Sequence, residues 1–317
     1  MQGLLPHTIM QSTRSYSIIG PGALGGLYGA RLHQAGWETH FLFHNDFAYV
    51  KANGLRVDSP WGNLHLKDVK AYGRPEDMPR CDVVCVCLKT TQNHLLPTIL
   101  PQVTKPGSVV ILMQNGLGAE EEVAAILPEG MIAGGLCYLC SNKIGSGHIH
   151  HVDYGQVTLG AHTAGLHPLI VEIAADFQEA GIPTNTTDTL AEARWRKLGW
   201  NIPYNGLSVA LSAETNDIMA EPHTRQLSGQ LMEEVLLGAR ACGYPIEAEF
   251  VQKLLAFTNK MKPYSPSMLL DYRARRPLEI EYIYERPLQA AAAKGVQLPR
   301  IATLAAQLRF LDARNRR

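Results

Sequence analysis

The run Gly20-Pro21-Gly22-Ala23-Leu24-Gly25 limits what this chain can fold into more than any other feature, because of what flanks it. Tyr16 to Ile19 is a short β-branched run on its N-terminal side, and Leu24 to Ala35 follows with helical periodicity until Gly36 stops it. Strand, tight turn and helix in that order open a βαβ unit, so a parallel sheet is expected. The glycines have separable tasks: Gly20 permits the turn, Gly22 lets backbone approach a pyrophosphate, and Gly25 lets the helix pack close on the strand. With Pro21, Ala23 and Leu24 they form a candidate dinucleotide site at a helix N-terminus, where free N–H groups favour anions. A plain surface turn is the bland alternative, and the flanking elements weigh against it.

The alternation continues along the N-terminal half. Thr39 to Phe43, Val83 to Leu88 and Ser108 to Met113 read as strands, with helical stretches after Thr91 and after Gly118. Such alternation implies a mostly parallel sheet with right-handed crossovers. Leu55 to Val57 and Leu64 to Val69 flank Ser59-Pro60-Trp61-Gly62 as an added hairpin. Ile132 to Leu159 returns to strands, and after about Thr187 strands cease, leaving Leu190 to Leu311 helical with proline interruptions. At 317 residues the chain exceeds what one core usually supports. The expected organisation is a disordered extension over 1–15, an α/β Rossmann-type dinucleotide-binding domain over 16–184, and an all-α substrate and catalytic domain over 185–317. Met1 to Ser15 has neither a long apolar core nor a basic leader, so it does not read as a secretion signal.

Charge narrows the partners. Lys plus Arg and Asp plus Glu each number 29, so no general electrostatic attraction to nucleic acid or an anionic membrane exists. No apolar run approaches the roughly 20 residues of a membrane-spanning helix. Of six cysteines, three lie in the apolar run Cys81 to Cys87, where buried thiols are ordinary; a reducing cytoplasm fits better than a disulfide framework. Cys137 and Cys140 form a C-x-x-C followed by His148, His150 and His151. Strand alternation would splay such groups apart, so structural thiols and imidazoles are expected in place of a metal site.

Polar residues then mark a cleft. The second strand ends Phe43-His44-Asn45 where an acid would favour NAD, so NADP is weakly favoured and NAD stays open. His44 either meets a 2′-phosphate, protonated or as a neutral donor, or is a loop residue. Lys89 and Asn115 stand at the carboxyl ends of predicted strands, the edge at which such sheets bind ligands, although solvated strand ends look the same. Lys197, Asn201 and Asn205 recur at i, i+4 and i+8 and share one helix face, with Pro203 predicting a kink. A solvated polar stripe is one reading. The other is a 2-oxo acid site, in which an ammonium protonates the ketone oxygen while amides hold carboxylate and hydroxyl. Desolvation by Trp195 and Trp200 would lower the pKa of Lys197. Glycine turn and lysine together suggest an enzyme that reduces a carbonyl. Ser267 either caps the helix after it or binds a ligand, Glu279 and Glu281 can face solvent, and Arg273, Arg275 and Arg276 make a basic face.

These residues, in this order, resemble the ketopantoate reductase (2-dehydropantoate 2-reductase) family from about Tyr16 to Leu311. The resemblance rests on Gly20 to Gly25, Leu88-Lys89, Gln114 to Gly118, Arg194-Trp195-Arg196-Lys197 through Asn201 and Asn205, and Ser267-Met268 through Asp271 to Glu279-Ile280-Glu281-Tyr282. It implies NADPH as cofactor and reduction of a branched 2-oxo acid in pantothenate biosynthesis. It also implies Lys197 as proton donor and Glu279 as its catalytic companion, near substrate and nicotinamide ribose. Asn115, Asn201, Asn205 and Ser267 would surround substrate or nicotinamide, Lys89 would lie near the cofactor, and Cys140 would approach it by backbone. The partner is then a small molecule, with a homodimer compatible. Three positions depart from the family: His44 for a usual arginine, Tyr264 for a common asparagine, and Tyr284-Glu285-Arg286-Pro287 for an asparagine-glycine. The last two suggest a changed pocket wall, and with it another 2-oxo acid as substrate for a related dehydrogenase; a non-catalytic dinucleotide sensor is a separate alternative, against which Lys197 and Glu279 argue, since a sensor needs neither.

Overall fold

The computed structural model describes residues 14–316. Ten strands form one sheet: β1 (Ser15–Ile19), β2 (Glu38–Leu42), β3 (Leu55–Asp58), β4 (Leu64–Leu66), β5 (Lys70–Tyr72), β6 (Cys81–Val86), β7 (Thr104–Leu112), β8 (Met131–Gly145), β9 (His148–Ala161) and β10 (Thr184–Thr187). Interleaved with them are α1 (Ala23–Gln34), α2 (Phe47–Asn53), α3 (Leu96–Val103), α4 (Ala119–Ile126) and α5 (His167–Glu179). The strand order is β4-β3-β9-β8-β7-β6-β1-β2-β5, with β10 paired to β9. β1 lies parallel to both β2 and β6, so the chain order reverses at β1, the switch point where such sheets bind ligands. Antiparallel pairing is confined to β8 with β9 and β3 with β4.

Central strands read as unbroken apolar runs because both faces are covered. Ile18, Val83, Cys85, Val109 and Ile111 face one core with Leu27 of α1 and Phe177 of α5. Their neighbours Ile19, Val84, Val86, Val110 and Leu112 face the other, against Leu96 and Leu100 of α3 and Val123 of α4. The period of two thus sorts one strand into two cores.

The remaining chain is helical: α6 (Leu190–Leu211), α7 (Thr215–Ala220), α8 (Pro222–Ala241), α9 (Glu249–Lys260), α10 (Ser267–Arg273), α11 (Arg286–Ala292) and α12 (Pro299–Asn315). They enclose a third core around α6, built from Trp195, Leu198, Ile202 and Tyr204 with Leu231, Val235, Leu278 and Ile301. α6 runs on through Pro203, which withholds a donor from the carbonyl of Gly199. An α/β part with a mostly parallel sheet is therefore followed by an all-α part, as expected.

Local expectations needed three corrections. Ser15 belongs to β1 and Arg14 pairs with Glu172 at 2.8 Å and Asp176 at 2.6 Å, so the extension expected over 1–15 does not include them; the rest of it lies outside the described residues. β10 pairs with β9 from Thr184↔Val157 to Thr187↔Gly160, carrying the sheet past the boundary expected at 185. Between Ile280 and α11 the chain forms a π-helix, Glu281–Glu285, which no periodicity argument distinguishes from α-helix.

Candidate active site

The glycine turn is built for a close guest. Gly20 has φ +79°, and a Cβ there would fall 2.5 Å from Leu88 Cδ2. At Gly25 a Cβ would meet Cys87 Cβ at 2.8 Å and Ile18 Cγ2 at 3.0 Å, so this glycine seats α1 on β1. Gly22 differs: no atom lies within 4 Å of where its Cβ would be. Its missing side chain leaves space that the protein itself does not use. The first turn of α1 carries no acidic residue, so the helix end stays favourable to an anion. Pro21, Ala23 and Leu24 complete that end, and the cradle fits a dinucleotide pyrophosphate.

α6 brings Lys197 to the carboxyl edge of the sheet. Its Nζ donates to the carbonyl of Cys137 on β8 at 2.8 Å and lies 5.2 Å from the centre of the Tyr138 ring. Burial pushes its pKa down to about 8; the Arg194 cation adds to that while Glu279 opposes it. One turn on, Asn201 is buried with its Nδ2 unpartnered, a donor awaiting an acceptor. Asn205 is buried too, and its Oδ1 accepts from the backbone of Met268 at 3.4 Å. It therefore anchors the start of α10, beside Ser267. Ser267 is the first residue of α10 behind an uncapped Pro266, so the capping alternative is not realised.

A second cluster crosses between the two parts of the chain. Lys89 Nζ lies 2.6 Å from Asp271 Oδ2 and 3.4 Å from Glu279 Oε2. Burial alone would lower the lysine pKa, but the Glu279 and Asp271 carboxylates outweigh it and raise it. Glu279 does not face solvent: it is buried, and its Oε1 accepts from Thr90 N at 3.0 Å and Thr90 Oγ1 at 2.9 Å. Glu281 is the exposed one, paired with Arg286. Arg276 of the basic face also has a task, holding Asp271 at 2.9 Å.

The loop carrying Asn115 is held from both sides. Gly116 has φ +97°, and a Cβ there would sit 2.5 Å from the carbonyl oxygen of Tyr282, which accepts from Leu117 N at 2.9 Å. The π-helix presents that carbonyl, so an irregular turn in the helical part docks the loop after β7. From α6, buried Arg194 pairs with buried Glu120 of α4 and donates to the carbonyls of Gln114 and, at 2.9 Å, Leu112. Asn115 is thus fixed by the helix that carries Lys197.

Sequence reasoning missed Arg194, Glu120, Thr90 and Asp271 as parts of this arrangement. Arg194 lies three residues before Lys197, and Asp271 four after Ser267, so helical spacing was the available signal. Cys140 is buried, and burial raises its thiol to about 11. Tyr284 is fully buried in the helical core with its hydroxyl on the carbonyl of Ile202 at 2.9 Å, so that departure repacks a core, not a pocket wall. His44 lies apart, exposed beyond β2. Among the described residues no cluster of His, Cys, Asp and Glu could hold a metal ion, and no helix is long and apolar enough to cross a membrane.

A Rossmann-like sheet with an open glycine cradle, facing a desolvated lysine and amides, defines an NAD(P)-dependent oxidoreductase of 2-oxo and 2-hydroxy acids. The models described as ketopantoate reductase PanE/ApbA and its C-terminal domain match residues 16–164 and 189–312. The chain belongs to the ketopantoate reductase family. It is 52% identical over 308 residues to the 2-dehydropantoate 2-reductase of Nostoc sp., covering 96% of this chain and 97% of that protein. Its fold superposes on the 2-dehydropantoate 2-reductase of Geobacter metallireducens with TM-score 0.91 at 40% identity, over 93% of this chain and 99% of that one. The enzyme of the same name from Methylococcus capsulatus gives 0.87 at 31%, over 96% and 98%.

Proposed function

We propose that this protein reduces 2-dehydropantoate to pantoate with NADPH, in the cytoplasm, as a step of pantothenate biosynthesis. Lys197 carries the reading: a cleft amine whose burial sets its pKa near 8 is mostly protonated at neutral pH, yet acidic enough to give its proton up. The nicotinamide, when bound, supplies the hydride to the ketone carbon. Lys197 Nζ then hydrogen-bonds and protonates the oxygen that becomes negative, and the unpartnered Nδ2 of Asn201 donates to the substrate. Asn205, through Met268, sets the position of Ser267, which with Asn115 faces substrate or nicotinamide. Glu279 acts by holding Lys89 and Thr90 at the strand end beside the cofactor. The site lies where the sheet-bearing part meets the helical part, so closure of one on the other excludes water.

The test is oxidation of NADPH and of NADH, with ketopantoate compared against other 2-oxo acids, for the native protein and Lys197→Ala. Turnover of ketopantoate falling by about 10²–10⁴ in the variant, with dinucleotide affinity kept within about twofold, is the expected result. Undiminished turnover would remove Lys197 from the mechanism.

A further inference from the structure

At the end of β2 the cofactor's ribose meets either an acid, which accepts from its hydroxyls, or a cation, which meets a 2′-phosphate. The structure has one of each there, and they are bound to each other. Asp46, two residues beyond His44, is buried, and its Oδ1 and Oδ2 lie 2.7 Å and 2.6 Å from Lys143 Nζ. Its Oδ2 also accepts from Gly147 N at 3.2 Å. Both carboxylate oxygens are therefore engaged, and the charge that would repel a phosphate is neutralised. Lys143 is 40% exposed and has three donors, of which Asp46 does not use all.

The position of Lys143 is fixed relative to the phosphate-binding turn. Ser141 Oγ donates to the carbonyl of Ala23, the first residue of α1, at 3.0 Å. Residues 141 to 143 pair in unbroken register with His151, His150 and Ile149, so Ser141 and Lys143 project from one face of β8. The tip of the β8-β9 hairpin is thereby bolted to the helix end that faces the pyrophosphate, and Lys143 stands one strand repeat away, about 7 Å along the backbone. His44 and Asn45, in the loop that carries Asp46, are exposed.

We propose that Lys143, anchored by Asp46, receives the 2′-phosphate of NADP and selects it over NAD. The cation thus comes from the hairpin, not from the β2 loop itself, to which Asp46 ties it. This rests on the dinucleotide reading above. The ligand is recognised as a phosphate monoester on ribose beside a pyrophosphate.

Calorimetric titration with 2′,5′-ADP and with 5′-ADP, neither of which carries the nicotinamide, separates the possibilities. Native protein should bind 2′,5′-ADP the more tightly. Lys143→Met should lose that preference, with affinity for 2′,5′-ADP down about tenfold or more and for 5′-ADP changed less than about twofold. Lys143→Arg should keep the preference, which shows that charge at this place, not the hairpin's integrity, is being read. Equal losses on both ligands in Lys143→Met, or a native protein indifferent to the 2′-phosphate, would overturn the assignment. Binding of neither nucleotide by the native protein would instead overturn the dinucleotide reading itself.

Discussion

In the proposed mechanism Lys197 concentrates the chemistry in one amine, and its setting makes a signed prediction. Reduction needs the ammonium, and burial holds its pKa near 8 in the absence of ligands. The rate of ketone reduction should therefore be level through neutral pH and fall as pH rises through about 8, while oxidation of the hydroxy acid, which needs the free amine, should rise over the same range. Steady-state kcat/KM in both directions against pH checks it. A reduction limb unmoved from 10.5, the unperturbed lysine value, would mean the amine is solvated during catalysis. Little of this depends on Lys197 alone: Arg194, three residues earlier, lowers the pKa further, and Glu279 draws it back.

Between elements, the glycine turn separates packing from binding. Gly25→Ala would put a methyl 2.8 Å from Cys87 Cβ and push α1 off β1, a destabilisation of about 1–3 kcal/mol. Gly22→Ala meets nothing in the protein and should leave stability within about 0.5 kcal/mol, yet its methyl enters the space for the pyrophosphate and should weaken dinucleotide binding about tenfold or more. Urea midpoints and nucleotide titrations on the two variants should move in this crossed fashion; a parallel loss in both would mean that the turn is merely structural. This geometry was legible because it is local: strand, turn and helix are adjacent in the chain, and Lys197, Asn201 and Asn205 share one helix. What stayed hidden was written in distant pairs. Glu279 meets Thr90 across 189 residues, and nothing near Glu279 signals that it will be buried there. Arg194 and Arg196 look alike in the sequence, yet one is buried against Glu120 and the other lies at the surface with Glu192 and Glu247. β10 owes its place in the sheet to a partner more than twenty residues earlier, which is why a boundary placed by composition cut through it.

For the whole molecule, the cross-links between the sheet and the helical part are unequal. Arg194→Met would strand a buried carboxylate and two carbonyls, a loss of about 3–5 kcal/mol. Arg196→Met removes a surface pair and should cost less than about 1 kcal/mol. Thermal or urea unfolding distinguishes them, and similar shifts would show that Arg194 is not the pin it appears in the contacts. A guanidinium bonded on so many sides cannot slide, but it can serve as a bearing. If the cleft opens by turning one part on the other, the least disruptive axis passes through Arg194, and the lysine about 4.5 Å further along the same helix then sweeps the shortest arc. On the proposed function the proton donor would then be mounted at the fulcrum, and its aim would survive such a motion.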